Sequence, residues 1–543
     1  MRHNLTLNLG LRYEMLTVVT EQNGKLSSLR NISDPLPYCG TSAPTPTNVV
    51  FNRDGCAGVA PYYSNPTTHD FEPRVGFAWD PRGDGKTSVR GGFAIFDVLP
   101  LPGNWFSQNW EPFFLTGKVA GSALAGTLGI LPGTPANPNP NSAYANFFKQ
   151  SGNSTCPLTT CALSGSYVDP NPKRNYVEQW NINVQRQITP NLTATVGYVG
   201  SHGVHMLIRG DDFDMVIPCP PSCPSGTTQI PGRYLWPVNG TRVNPNFGLI
   251  RGIKWNTDST YKAFQVSVQK QMSHSFQVGG SYTYSKSMDD DSATVLGDAF
   301  SNSITTWFWF APKISRAVSD YNFTHTAIVN ALWQVPGPRD GVGKALLGGW
   351  ELGGIFKRNS GVPTTPLIDG DPMGVQNSGS DTFGIPDLVP GCDPINHNWK
   401  KTPNLIYINI NCYTPPVAPV SIASDSTKCT AYKNTTVANT CTQLLGNAGR
   451  NSIVGPPLTN LDFSVHKNIP VHKISESASV QFRAEFFNVL NHPNFGGPLP
   501  FTGASNAIIL NADGSQKGGT AGGIQQPLVT LPRDIQFALK LIW

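Results

Sequence analysis

Short amphipathic segments recur from one end of the chain to the other, and the connections between them strictly alternate in length. In residues 176–188, Tyr176, Trp180, Ile182, Val184 and Ile188 share one face, and Gln179, Asn181, Asn183, Gln185 and Gln187 share the other. A strand sends alternate side chains to opposite faces, so this segment has one apolar and one amide face. The same pattern predicts twelve strands, near residues 4–14, 70–80, 86–97, 175–188, 191–201, 260–272, 275–287, 322–335, 347–359, 458–468, 477–490 and 532–543. Residues 247–255 are placed inside a loop. The connections at 81–85, 189–190, 273–274, 336–346 and 469–476 are short, whereas 15–69, 98–174, 202–259, 288–321, 360–457 and 491–531 are long. A soluble sandwich has no reason to obey such a rule. A transmembrane barrel has one, with tight turns on one side and long loops on the other. The expected fold is therefore all-β: a transmembrane antiparallel β-barrel, partial, of about 12 strands, with long extracellular loops. If the last strand ends on the periplasmic side, all five short turns are periplasmic and all six long connections are external.

Composition fits this map. Asp, Glu, Lys and Arg make up 13% of the 543 residues, about half the share in an ordinary soluble domain, yet the mean hydropathy is only −0.21. Polarity must come from Asn, Gln, Ser, Thr and Gly. Length alone would suit two to four soluble domains or one large barrel. Aromatic residues at 10% and a net charge of +5 argue against charge-driven disorder. No apolar run is long enough for a transmembrane helix, no heptads mark a coiled coil, and no basic run marks a nucleic-acid partner. Met1-Arg2-His3 runs directly into the first strand without the pattern of a signal peptide.

The ten cysteines test the map independently. Cys39 and Cys56 fall in the first long connection, Cys156 and Cys161 in the second, Cys219 and Cys223 in the third, and Cys392, Cys412, Cys429 and Cys441 in the fifth. Each occupied loop holds an even number, and none falls in a strand or a short turn. Loop-stapling disulfides in an oxidising compartment have this distribution. Pairing among the last four has three solutions, all open. Zinc is the competing reading for Cys156, Cys161, Cys219 and Cys223, with His202 and His205 nearby, but the spacing is loose.

Several stretches together resemble the barrel portion of TonB-dependent outer-membrane receptors of the Oar-like type. They are residues 4–14 (NLTLNLGLRYE), 71–81 (FEPRVGFAWDP), 84–92 (DGKTSVRGG), 177–186 (VEQWNINVQR), 281–290 (SYTYSKSMDD) and 482–496 (FRAEFFNVLNHPNFG), with the closing segment 533–543. The resemblance implies a larger barrel of 22 strands, a plug domain in its lumen, coupling to TonB, and often a regulatory-like domain in front. The chain shows only the strands of that pattern, so it is expected to be a single partial barrel domain over 1–543, a C-terminal fragment without plug or TonB box. The expected partners are outer-membrane lipid, the barrel-assembly machinery, and a plug domain and TonB in the intact receptor. The expected function is transport of an external ligand; a passive porin or adhesin without energy coupling is the alternative.

Candidate chemistry is sparse, and no cofactor is expected. Ile535, Phe537, Leu539, Leu541 and Trp543 alternate to the chain's end, like the signal read by the barrel-assembly machinery, with Trp543 suited to an interfacial aromatic belt. Residues 83–87 (GDGKT) superficially resemble a phosphate loop, but Asp80 stands where the leading glycine belongs and a strand follows, so a hairpin turn is expected. Asp289, Asp290 and Asp291 are a weak candidate Ca²⁺ site without EF-hand spacing; Asp211, Asp212 and Asp214 are a second acidic group of the same kind. Trp307, Phe308, Trp309 and Phe310 form a run of aromatics that could stack on a ligand, anchor a loop at the interface, or pack beneath it. Arg483 and Glu485 are expected to form an ion pair or plug contact in the lumen. No nucleophile elbow or metalloprotease motif is present, so no catalytic residues are assigned.

Overall fold

The computed structural model describes residues 4–18, 63–98, 161–210, 212–220, 229–245, 247–293, 308–338, 341–376, 383–471, 478–499, 505–524 and 528–542, with a few isolated positions besides. Twelve strands lie side by side in chain order. They are β1 (Leu5–Glu14), β2 (Asp70–Trp79), β3 (Thr87–Asp97), β4 (Tyr176–Thr189), β5 (Leu192–Gly210), β6 (Leu249–Ser273), β7 (Phe276–Asp289), β8 (His325–Gln334), β9 (Trp350–Asn359), β10 (Leu458–Pro470), β11 (Ser479–Phe487) and β12 (Asp534–Ile542). Every neighbouring pair is antiparallel. Among the described residues β1 and β12 do not pair, so the sheet is an open arc.

Register turns the alternation of each strand into continuous rows. Leu5, Trp79, Val89, Val184, Val196, Val266, Tyr282 and Ala327 stand opposite one another across eight strands. The adjacent row on the other face runs Ser88, Gln185, Thr195, Ser267, Ser281. A one-residue slip anywhere would exchange these faces, so the apolar rows fix the register. Two glycines serve the apolar face directly. A Cβ at Gly91 would lie 2.6 Å from the Phe77 ring, and one at Gly200 2.5 Å from the Trp180 ring. Each large ring lies over the glycine opposite it.

The apolar face carries two aromatic bands. Phe276, Trp333 and Trp350 sit near the short turns, and Tyr198, Phe264 and Tyr284 near the long loops. Phe276 and Tyr284 are eight residues apart on β7. At about 3.4 Å per residue and a tilt near 40°, that is roughly 21 Å along the barrel axis, close to the height of a lipid-facing band.

Two differences from the sequence reading stand out. Residues 249–255 are strand rather than loop, because β5 and β6 run well past their neighbours. In this extension Leu207 pairs with Trp255 and Gly210 with Gly252, while a further strand, Cys161–Val168, pairs parallel with Leu249–Ile253. Both faces there are covered, so period-two polarity is lost. The short connection at 336–346 also contains a short helix, α1 (Gly341–Leu347), of about two turns.

Candidate functional site in the external loop layer

The principal buried core lies outside the twelve-strand arc. Ile208 and Ile250 from the overrunning strands, Phe213, Met215, Trp236 and Phe247 from the third long loop, Phe308 and Trp309 from the fourth, Leu367, Trp399 and Ile408 from the fifth, and Ile508 and Leu510 from the sixth form one cluster. Apolar burial on this scale makes the loops a packed layer rather than a set of tethers.

The aromatic run belongs to this core. Phe308 and Trp309 are only 2% and 6% exposed. Trp309 stacks on Phe213 with ring centroids 4.7 Å apart, and the Lys254 ammonium lies 5.4 Å from its centre. Phe308 packs on Trp236 at 5.5 Å. Of the alternatives, packing beneath the loop describes Phe308 and Trp309; these two rings do not offer an open stacking surface. Phe310 packs against the same cluster, and Trp307 lies outside the described residues.

The acidic end of β7 is held by cations of the protein itself. Asp289 is ion-paired with Arg450, which also holds Asp320 at 3.0 Å, Ser315 O at 2.9 Å and Ser292 Oγ at 3.1 Å. The Arg450 side chain is 4% exposed. Asp290 accepts from Arg316 at 2.9 Å and lies 3.6 Å from Lys313. Asp291 lines a small pocket of about 10 Å³ beside Arg450. Among the described residues no group of three acidic, histidine or cysteine side chains has metal-holding geometry. Of the weak Ca²⁺ candidates, Asp289 and Asp290 are thus engaged by arginines of the protein, and Arg450 forms a buried staple whose guanidinium supplies positive charge beside Asp289.

A second staple closes the third loop. Arg242 holds Asp212 at 3.0 Å and Asp214 at 3.4 Å, and Asp214 accepts the Asn244 N–H at 2.6 Å. Burial pushes the Asp214 carboxyl up to about 7, opposed by the Asn244 hydrogen bond and Arg242 and reinforced by Asp212. A free aspartate titrates near 4. Between about pH 4 and 7 the unfolded chain therefore releases a proton that the folded layer keeps, so this group's effect is to lower stability as pH rises through that window and to level off above it. Asp214→Asn should flatten the fall, read as the difference in urea midpoint of the loop layer between pH 5 and pH 8; an unchanged difference would acquit Asp214.

Two disulfides brace the fifth loop. Cys392 is bonded to Cys412 and Cys429 to Cys441, each with Cα atoms 5.4 Å apart. This selects one of the three possible pairings. Cys219 is also disulfide-bonded, and the other five cysteine side chains lie outside the described residues. Non-reducing peptide mapping should recover 392–412 and 429–441 as separate cross-linked pairs, and a 412–429 link would overturn that connectivity.

Along the rim, Arg174 grips Asp97 through two hydrogen bonds of 2.7 and 2.8 Å and Asp70 at 3.2 Å, with its guanidinium 5.2 Å from the Tyr176 ring. Below it, the polar face of β1–β4 forms an open groove of about 410 Å³ whose lining includes Asn8, Arg74, Phe96, Gln179 and Asn181. Arg483 and Glu485 do not pair as expected: Arg483 donates to Gln481, and Glu485 faces His466 at 4.0 Å. Residues 83–87 form a turn in which the Asp80 carboxylate accepts the N–H groups of Gly83 and Gly85 at 2.9 and 2.7 Å. The carboxylate occupies the loop's donors, so no phosphate cradle exists. On β12, Ile535, Phe537, Leu539 and Leu541 share the apolar face, and Phe537 and Leu539 are at least 70% exposed; Trp543 lies outside the described residues. Arg450 and Arg242 were not legible from sequence, since nothing marks one loop arginine as the partner of carboxylates far along the chain.

An antiparallel arc with one apolar face, two aromatic bands and a layer of long loops at one end defines an outer-membrane β-barrel protein. The chain belongs to the family of the outer membrane beta barrel domain, whose model matches residues 1–536. Among curated proteins no match was found. The outer membrane transporter YddB of Escherichia coli is similar over 88% of this chain and 41% of that one, at 10% identity and a TM-score of 0.39. The siderophore receptor PiuA of Acinetobacter baumannii is similar over 87% of this chain and 35% of that one, at 7% identity and a TM-score of 0.34. The FrpB iron transporter of Neisseria meningitidis is similar over 87% and 39%, at 9% identity and a TM-score of 0.34. The chain thus spans about two fifths or less of the length of these structures. Its place is the outer membrane of a Gram-negative bacterium.

Proposed function

We propose that this chain is the barrel portion of a TonB-dependent receptor of the Oar-like type, and that its external loop layer receives the ligand. The observation that carries the reading is the layer itself. Residues of all six long loops and two overrunning strands share one core, braced by disulfides and by Arg450. A passive pore needs only an open lumen; a packed layer on the rim suits selective capture. The open arc supports the partial-barrel reading, because unpaired edges are untenable in lipid. In the intact receptor further strands would meet β1 and β12, a plug would lie against the polar face, and TonB would supply energy. The exposed apolar face of β12 supports recognition by the barrel-assembly machinery.

The test uses the complete reading frame that contains this chain. The purified receptor in planar bilayers should show no steady ohmic conductance, and it should cross-link to TonB in vivo. Steady channel currents without a TonB cross-link would establish the porin alternative instead.

A further inference from the structure

Two lysines face each other at the external edge of the apolar face. Lys262 on β6 stands directly opposite Lys286 on β7, in the row that also holds Trp180 and Gly200. Both side chains are exposed. Like charges placed opposite in a sheet repel one another. One row toward the membrane centre, Tyr284 stands opposite His325, their rings 5.2 Å apart, and Tyr282 is hydrogen-bonded to His325 at 2.7 Å. In the same row as Tyr282, across Ala327, lies the exposed Arg358.

Among the described residues neither Lys262, Lys286 nor Arg358 has an acidic partner within ion-pair distance. Nearby Glu178 faces His202 at 3.6 Å, and Asp258 is held by Lys313 at 2.6 Å. The patch therefore has three fixed positive charges, two phenol groups and an imidazole, next to a lipid-facing wall.

Height identifies what can neutralise it. Lys286 lies ten residues beyond Phe276, the aromatic at the opposite interface. By the same rise and tilt that is roughly 26 Å, just above a lipid-facing band about 25 Å tall. The ammonium groups are thus level with the headgroups of the outer leaflet. Lysine at such a depth reaches its head to the interface and lays its stem on apolar surface, but that alone does not relieve the repulsion between two opposed ammonium groups. A phosphate between them does.

We propose that Lys262 and Lys286, with Arg358 and the tyrosine hydroxyls beside them, form a lipid-side binding site for a phosphorylated glycolipid of the outer leaflet. The ligand class is the phosphorylated disaccharide headgroup of lipopolysaccharide. Phosphate sits between the lysines, sugar hydroxyls meet Tyr282 and Tyr284, and acyl chains descend along Val266 and Phe264.

The probes are purified lipid A carrying both phosphates, the same lipid after enzymatic dephosphorylation, and phosphatidylglycerol, each titrated onto the detergent-solubilised protein in native mass spectrometry. One lipid A should bind per chain. Lys262→Gln/Lys286→Gln should weaken it about tenfold or more, and Lys262→Arg/Lys286→Arg should retain it. Lys540→Gln, on the polar face, should leave it unchanged. Removing the phosphates should weaken binding as much as the double glutamine variant does. Equal binding by the double glutamine variant or by dephosphorylated lipid A would overturn the site, and equal affinity for phosphatidylglycerol would overturn the glycolipid assignment. Heat-modifiable gel mobility confirms that each variant is folded, and loss of binding in the arginine variant despite a folded barrel would also count against the proposal.

Discussion

Arg450→Met should release the external loop layer while leaving the twelve-strand sheet intact. Arg450 is almost fully buried and neutralises both Asp289 and Asp320. Its removal leaves two carboxylates in a desolvated site, a change that costs about 3–5 kcal/mol in comparable buried pairs. The side chains lie in different segments, so the loss is not local: Asp289 ends β7, Asp320 belongs to the fourth loop and Arg450 to the fifth. Burial already pushes the Asp320 carboxyl upward against the pull of Arg450; without the guanidinium that opposing pull is gone and the carboxyl should move further up. Limited proteolysis from the external side should then cut the fourth and fifth loops, while heat-modifiable mobility of the barrel persists. Asp289→Asn/Asp320→Asn in the same background should recover part of the protection. Proteolysis indistinguishable from the parent would show that apolar packing alone holds the layer.

Val268→Arg should prevent stable insertion, whereas Gln269→Arg, its immediate neighbour, should be tolerated. Val268 lies on the apolar face opposite Ala194 and Gly280, and Gln269 lies on the polar face opposite Thr193 and Gly279. An arginine on the lipid face near mid-membrane costs about 2–4 kcal/mol, while one facing the lumen meets water and amides. The measurement is the urea midpoint for folding into vesicles. Similar penalties for both variants would refute the assignment of the faces.

The strands were legible because each obeys a single rule, period-two polarity, and because lipid makes that rule stringent. The segments at 4–14 and 86–97 match β1 and β3 to within a residue. The rule failed where lipid no longer applies. Beyond Gly203 a bulge interrupts β5, and Ile208 and Arg209 are both buried. Alternation vanishes there, so the strand's extension reads as loop. The loop layer was legible only in its cysteines. Their even distribution among loops is visible in sequence, but connectivity depends on which Cα atoms the fold brings together. Side chains such as Arg450 gain their role from partners more than a hundred residues away, and no local pattern encodes that. The aromatic run at 307–310 was conspicuous, but whether a ring faces ligand, lipid or core depends on what the other loops place over it.

The wide chain separation within the arginine staple bears on the order of assembly. Arg450 is 161 residues from Asp289 and 130 from Asp320. These contacts cannot form until the loops that carry them have crossed the bilayer, and closing such long stretches is entropically slow. The loops must therefore traverse with Arg450 and its carboxylates still unpaired and solvated. The layer then condenses on the far side, after β7 to β10 have zipped. Its completion makes the passage one-way, because withdrawing any one of these loops would require dismantling a core shared by them all.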